Sequence, residues 1–193
     1  MKLFRAVPRA GFDPVRTYTG RAETRLPGNL PYLIDNLWEY TRPANMPSRR
    51  TAVFASPSAA LALAGAIAGD RSADQYHALE VMLARMPAKL MQLSTRDARY
   101  HPDLPRLQKI VNGAAGGWFG RNAASKAPLA PLFLPGTTKE ELVSAMVESS
   151  ELRALVERAA AKITMWSDPP DQEQGEIVFE LEPDNWFTLQ ASA

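Results

Sequence analysis

The 193-residue chain is 46% apolar and 22% charged, with a formal net charge of +1 and no cysteine. That is the composition of an ordinary globular protein with room for one substantial core, and it excludes disulfides, thiolate metal sites and a cysteine nucleophile. Two histidines, His77 and His101, are too few for a His-rich zinc site, so no metal is assigned, and no run reaches the ~18 apolar residues of a spanning helix, so no membrane partner is expected.

Residues 1–9 place basic side chains around a very short apolar run, which is not the pattern of a secretory signal; a cytoplasmic protein is the simplest expectation. Leu3-Phe4-Arg5-Ala6-Val7 reads as a first strand stopped by Pro8, and residues 14–20 form a weaker second candidate. Leu30, Leu33, Ile34, Leu37 and Trp38 recur at helical spacing, which predicts a helix over 30–40 with Pro31 in its first turn. The rest of the chain is organised around residues 47–64. There a basic turn, Arg49-Arg50, enters a short strand over 51–55, the corner Ser56-Pro57-Ser58 follows, and a helix of small apolar residues over 59–68 is expected to be covered on all sides.

Ser72 and Gln75 fit a capping box, and Tyr76, Leu79, Leu83, Met86 and Leu90 form one apolar stripe, predicting a helix that Pro87 kinks or ends. Residues 101–136 are the least regular. Their glycine-rich stretch over 113–120 lacks both the Lys-Ser/Thr of a phosphate loop and the spacing of a dinucleotide fingerprint. It reads either as a lid anchored by Trp118-Phe119 or as a plain surface loop. Thr137-Thr138-Lys139-Glu140 is a second capping box, opening a helix through Leu142, Met146 and Val147 that either continues or restarts after Ser149-Ser150.

Toward the end, Ile177, Phe179 and Leu181 alternate with Glu176, Val178, Glu180 and Glu182, which predicts a strand, and Trp186-Phe187-Thr188-Leu189 predicts another. Strands at both ends around a helical middle give an α+β fold: a single domain over 1–193 with a largely helical insertion at about 70–165, the terminal strands pairing with the strand at Val53.

Charge is uneven along the chain. Residues 1–50 carry nine Lys/Arg against four Asp/Glu, residues 70–126 nine against five, and residues 139–193 four against twelve. The basic parts suit an anionic ligand such as a dinucleotide or nucleic acid, unless folding sets them against the acidic tail. An arginine on a first strand, a serine at a strand end and a carboxylate opening a late strand suit transfer from a nicotinamide dinucleotide. Cleaving its glycosidic bond passes through an oxocarbenium-like ribose, which calls for a carboxylate at the ribose hydroxyls and a cation near the diphosphate.

Three pieces in order, Leu3-Phe4-Arg5-Ala6-Val7, Val53-Phe54-Ala55-Ser56-Pro57-Ser58 and Gln174-Gly175-Glu176, resemble the motifs of the arginine-serine-glutamate branch of the ADP-ribosyltransferase superfamily. A looser similarity extends to the RES-domain toxins. The resemblance implies a split β-sheet core, NAD as the bound dinucleotide, and transfer of ADP-ribose to a protein or nucleic-acid acceptor. The RES likeness implies instead an NAD glycohydrolase, and either activity fits an effector or toxin delivered into the cytoplasm of a host or target cell. By resemblance Arg5 holds the phosphates, with Arg16 as its competitor; Ser56 supports the nicotinamide ribose, with Ser58 also at the cofactor; Glu176 is catalytic; and Gln174 positions the acceptor. Pro57 departs from the family's threonine, and the helical insertion is longer than in compact toxins.

Each residue also has a purely structural reading. Ser56 before Pro57 fits a helix N-cap, Arg5 fits an arginine lying beside the acidic C-terminal strand, and Glu176 shares a strand face with Glu180 and Glu182. On those readings the chain is a non-enzymatic helical module that binds a protein or nucleic acid.

Overall fold

The computed structural model describes residues 2–21, 23–66, 72–114 and 122–191. In chain order the elements are β1 (Phe4–Pro8), β2 (Tyr18–Thr19), α1 (Tyr32–Thr41), β3 (Val53–Ala55), α2 (Ala59–Ala66), β4 (Tyr76–Leu83), β5 (Lys89–Gln92), α3 (Asp103–Ala114), α4 (Ala123–Lys126), α5 (Ala130–Phe133), α6 (Lys139–Glu148), α7 (Ser150–Ala160), β6 (Ile177–Glu180) and β7 (Trp186–Gln190). The fold is α+β, and the chain divides into two compact units: a β unit from residues 1–23, 44–100 and 168–193, and a helical unit from residues 24–43 and 101–167.

The β unit holds two antiparallel sheets, β1-β4-β7-β2 and β3-β6-β5. Paired backbone bonds of 2.8 Å between Phe4 and Ser56 tie the edge of the first to the end of β3. Period-two alternation decides what enters the core: Val53 and Ala55 from β3, Ile177 and Phe179 from β6, Leu79 and Val81 from β4, and Phe187 and Leu189 from β7 form one buried cluster. Phe179 meets Phe187 edge-on at 6.3 Å. The terminal strands do reach β3, through the β3–β6 pairing, as the alternation at the C-terminal end implies.

In the helical unit, α1 buries Ile34, Leu37 and Trp38, and α3 and α7 bury Leu107, Val111, Leu152, Leu155 and Val156. The fully buried Asp103 opens α3. Its carboxylate accepts from Trp38 Nε1 at 3.1 Å, from Thr164 Oγ1 at 3.0 Å and from the N–H groups of Thr164 and Met165, so its oxygens are held by donors from two separate segments. His101 Nδ1 accepts from the Asp103 N–H at 3.1 Å, so that nitrogen carries a lone pair, and its 3.5 Å approach to Asp103 Oδ2 is a contact rather than an ion pair.

Several expectations change. Residues 76–83 and 89–92 are strands, not a helix, so the helical segment runs over 103–160 rather than from about 70. Leu79 and Leu83 fit the helical stripe, but with Val81 they also fit alternation, and β4 is held on both edges, by β1 and by β7. Ser72 stands before a 3-10 turn at Ala73–Gln75 without capping it through its side chain. Residues 103–114, expected to be irregular, form α3, where Pro105 is tolerated because it lies in the first turn. The second strand candidate shrinks to Tyr18–Thr19. α2 is not covered on all sides: only Ala62 is buried and Ala60, Ala64 and Gly65 are exposed, since the helix lies with one side against β1 and β4. The second capping box uses Thr138 and Glu141, and the helix restarts as α7, capped by Ser149. The lid reading at Trp118-Phe119 lies outside the described residues.

Candidate functional site

β3 and β6 run antiparallel with Phe54 opposite Val178 and Ala55 opposite Ile177. One step further, that register sets Ser56 across from Glu176. Since alternate residues share a face, Ser56 and Glu176 belong with Phe54 and Val178, on the face turned away from the core cluster. The sequence reading therefore names two residues, more than a hundred positions apart, that the sheet brings to one place.

Glu176 is held closely. Its N–H donates to Thr95 O at 2.8 Å and its carbonyl accepts from Leu93 N–H at 2.9 Å, which extends the β5–β6 ladder past the ends of both strands. Arg49, buried to 9% exposure, donates Nη1–H to Glu176 Oε2 at 3.1 Å, and its guanidinium lies 4.7 Å from the Phe54 ring centre. The Ala98 N–H donates to the same Oε2 at 3.3 Å. Both donors meet one oxygen, and Oε1 accepts from none of the described residues.

The corner before α2 sorts its two serines. Ser58 accepts the Leu61 N–H at 3.3 Å through Oγ, and its carbonyl accepts the Ala62 N–H at 3.0 Å, so Ser58 is the helix cap. That corrects the reading of Ser56 as N-cap. Ser56 is half-buried, its backbone is engaged by Phe4, and its hydroxyl bonds to none of the described residues.

The two candidate arginines meet elsewhere. Arg5 lies opposite Leu79 on the core-facing side of β1, with its guanidinium 5.7 Å from the Phe187 ring. Arg16, exposed, lies 5.2 Å from the Tyr18 ring, and Tyr18 stacks on Phe187 at 4.9 Å. Both therefore converge on one aromatic pair, while the cation in contact with Glu176 is Arg49. Sequence reading saw Arg49 only as half of a basic turn; no local pattern marks it, because its partner is 127 residues away. Gln174 is exposed, and its N–H donates to Asp171 Oδ1 at 3.2 Å in the turn that leads to Glu176.

The loop after β5 forms the wall beside Glu176. Asp97 binds the Arg99 side chain through Nε at 2.8 Å and Nη2 at 2.6 Å, and this hydrogen-bonded pairing raises the Arg99 pKa further above its ordinary value. Ser94 donates Oγ–H to Asp168 Oδ2 at 2.9 Å.

At the opposite end of β6, a cavity of about 350 Å³ is lined by Arg21, Thr51, Lys89, Glu180 and Glu182 among others. Burial alone would raise the Glu180 carboxyl. The Thr51 hydroxyl at 2.6 Å, the Lys89 ammonium at 3.1 Å and the Ser48 N–H outweigh it and hold the group below the usual range. Glu182 likewise accepts the Ala88 N–H at 2.7 Å and Asn185 Nδ2–H at 2.9 Å. The carboxylates of this cavity are thus spent on the protein itself, whereas Glu176 Oε1 accepts no hydrogen bond from the described residues. Among the described residues, no helix is long and apolar enough to cross a membrane. The chain matches no family model, no curated protein and no solved structure.

Proposed function

We propose that the chain is an ADP-ribosyltransferase that cleaves the nicotinamide–ribose bond of NAD at Glu176 and passes ADP-ribose to a macromolecular acceptor. One observation carries the reading: Glu176 is pinned through Oε2 by Arg49 and Ala98, and among the described residues neither its Oε1 nor the hydroxyl of Ser56, at the adjoining strand end, has a hydrogen-bond partner. A carboxylate oriented through one oxygen presents the other to a ribose hydroxyl without reorganising as positive charge develops at C1′.

In this mechanism the bond between ribose C1′ and the nicotinamide nitrogen breaks, with its electron pair leaving on neutral nicotinamide. A lone pair of the acceptor forms the new bond to C1′, and the acceptor's proton passes to solvent. Glu176 Oε1 accepts from the ribose hydroxyl, the Ser56 hydroxyl bonds the same ribose, and Arg49 keeps the carboxylate in place. The resemblance assigns the diphosphate to Arg5, at the Phe187 ring, or to its competitor Arg16, at the Tyr18 ring. With water as acceptor the same steps give an NAD glycohydrolase. Nicotinamide release from NAD tests the reading: removal of the Glu176 carboxylate is expected to lower the rate by ~100-fold or more.

A further inference from the structure

We propose that Tyr100, with the Arg96 and Arg99 guanidiniums against its ring, is a docking platform for single-stranded nucleic acid. As the identity of the acceptor this rests on the ADP-ribosyl-transfer reading; as a binding surface it stands by itself. Tyr100 is 56% exposed, and the guanidinium carbons of Arg96 and Arg99 lie 4.7 and 5.8 Å from its ring centre. Arg99 is fixed by Asp97, whereas the exposed Arg96 makes no ion pair among the described residues.

The platform is built on a braced loop. The Arg99 N–H donates to Asp97 Oδ1 at 2.8 Å, the Tyr100 N–H to Asp97 O at 3.0 Å and Thr95 Oγ1 to Asp97 O at 3.1 Å. The same loop supplies the Ala98 N–H that donates to Glu176, two residues before Tyr100 in one 3-10 turn. An exposed aromatic ring flanked by guanidiniums offers π surface and positive charge side by side. A single strand presents the complement, base faces alternating with phosphates, whereas a duplex hides its base faces and a phosphorylated peptide has no row of them.

The test is fluorescence anisotropy of a labelled strand of about 12 nucleotides, as RNA and as DNA, with the full chain, no NAD, and salt varied from ~50 to ~200 mM. Binding should weaken with salt, Tyr100→Ala should weaken it by ~10-fold or more, and Tyr100→Phe should stay within about twofold of the starting protein. Arg96→Ala should reduce the slope of log affinity against log salt by about one. Absence of salt-dependent binding, unchanged binding by Tyr100→Ala, equal affinity for duplex, or displacement by a phosphorylated peptide at comparable concentration would overturn the platform. Nicotinamide release is read in parallel: its absence overturns the transfer reading and leaves the platform to stand on the anisotropy alone.

Discussion

Gly175 is the residue on which the position of Glu176 depends. A Cβ there would stand 1.9 Å from Leu93 O and 2.7 Å from Asp171 O, both backbone atoms that cannot swing aside. The close approach lets the Gly175 N–H reach Asp171 O at 2.7 Å and lets the next residue join the ladder beside β5. Gly175→Ala is therefore expected to lose more than about 2 kcal/mol of stability, read from the urea midpoint, and to disturb Glu176 before any catalytic atom is changed. In the sequence Gly175 was merely the variable middle of Gln174-Gly175-Glu176. Only the fold shows that no larger residue fits. The resemblance names Glu176 but not Arg49, the arginine that donates to it, since the two are brought together by the β3–β6 pairing and not by spacing.

At the scale of the element, the corner between β3 and α2 separates capping from the site. Ser58 caps α2 and Ser56 does not, so Ser58→Ala should cost about 1 kcal/mol of stability while Ser56→Ala should cost less than about 0.5 kcal/mol. On the proposed function the order reverses for nicotinamide release, with Ser56→Ala slowed and Ser58→Ala close to the starting protein. Thermal melts and the nicotinamide assay on the two variants check both halves. Strands at the chain ends were legible because alternation there is uncontested, as at Ile177, Phe179 and Leu181. β4 was not, because Leu79 and Leu83 satisfy both periods and the deciding term is non-local pairing on both edges. α3 was missed because Pro105 and Gly113 masked the buried spacing of Leu107 and Val111.

At the scale of the molecule, the β unit is assembled from three separated stretches of chain, and the last of them supplies an interior strand to each sheet. β6 lies between β3 and β5, and β7 between β4 and β2, so removing residues 171–193 leaves, among the described residues, the β1–β4 ladder and the single Phe4–Ser56 bridge. A lone pair of strands is marginal in water. Hydrogen exchange on the truncated chain should show β3 and β5 amides without protection; retained protection would mean that the sheets do not depend on β6. Alternation at the chain ends and helical spacing between them make an α+β chain legible but not its division into a β unit and a helical unit, because residues 76–92 read as helix and fold as strands.

The central claim is that an open carboxylate oxygen on Glu176, oriented by Arg49, performs chemistry on NAD. The direct measurement is nicotinamide release from NAD by the full chain and by Glu176→Gln, which keeps the size of the side chain and a hydrogen-bonding oxygen while removing its charge. The expected result is release by the starting protein and a loss of ~100-fold or more in the variant, with the melting temperature showing both to be folded. Release at an equal rate by the two proteins, or no release and no NAD binding by the starting protein, would contradict it.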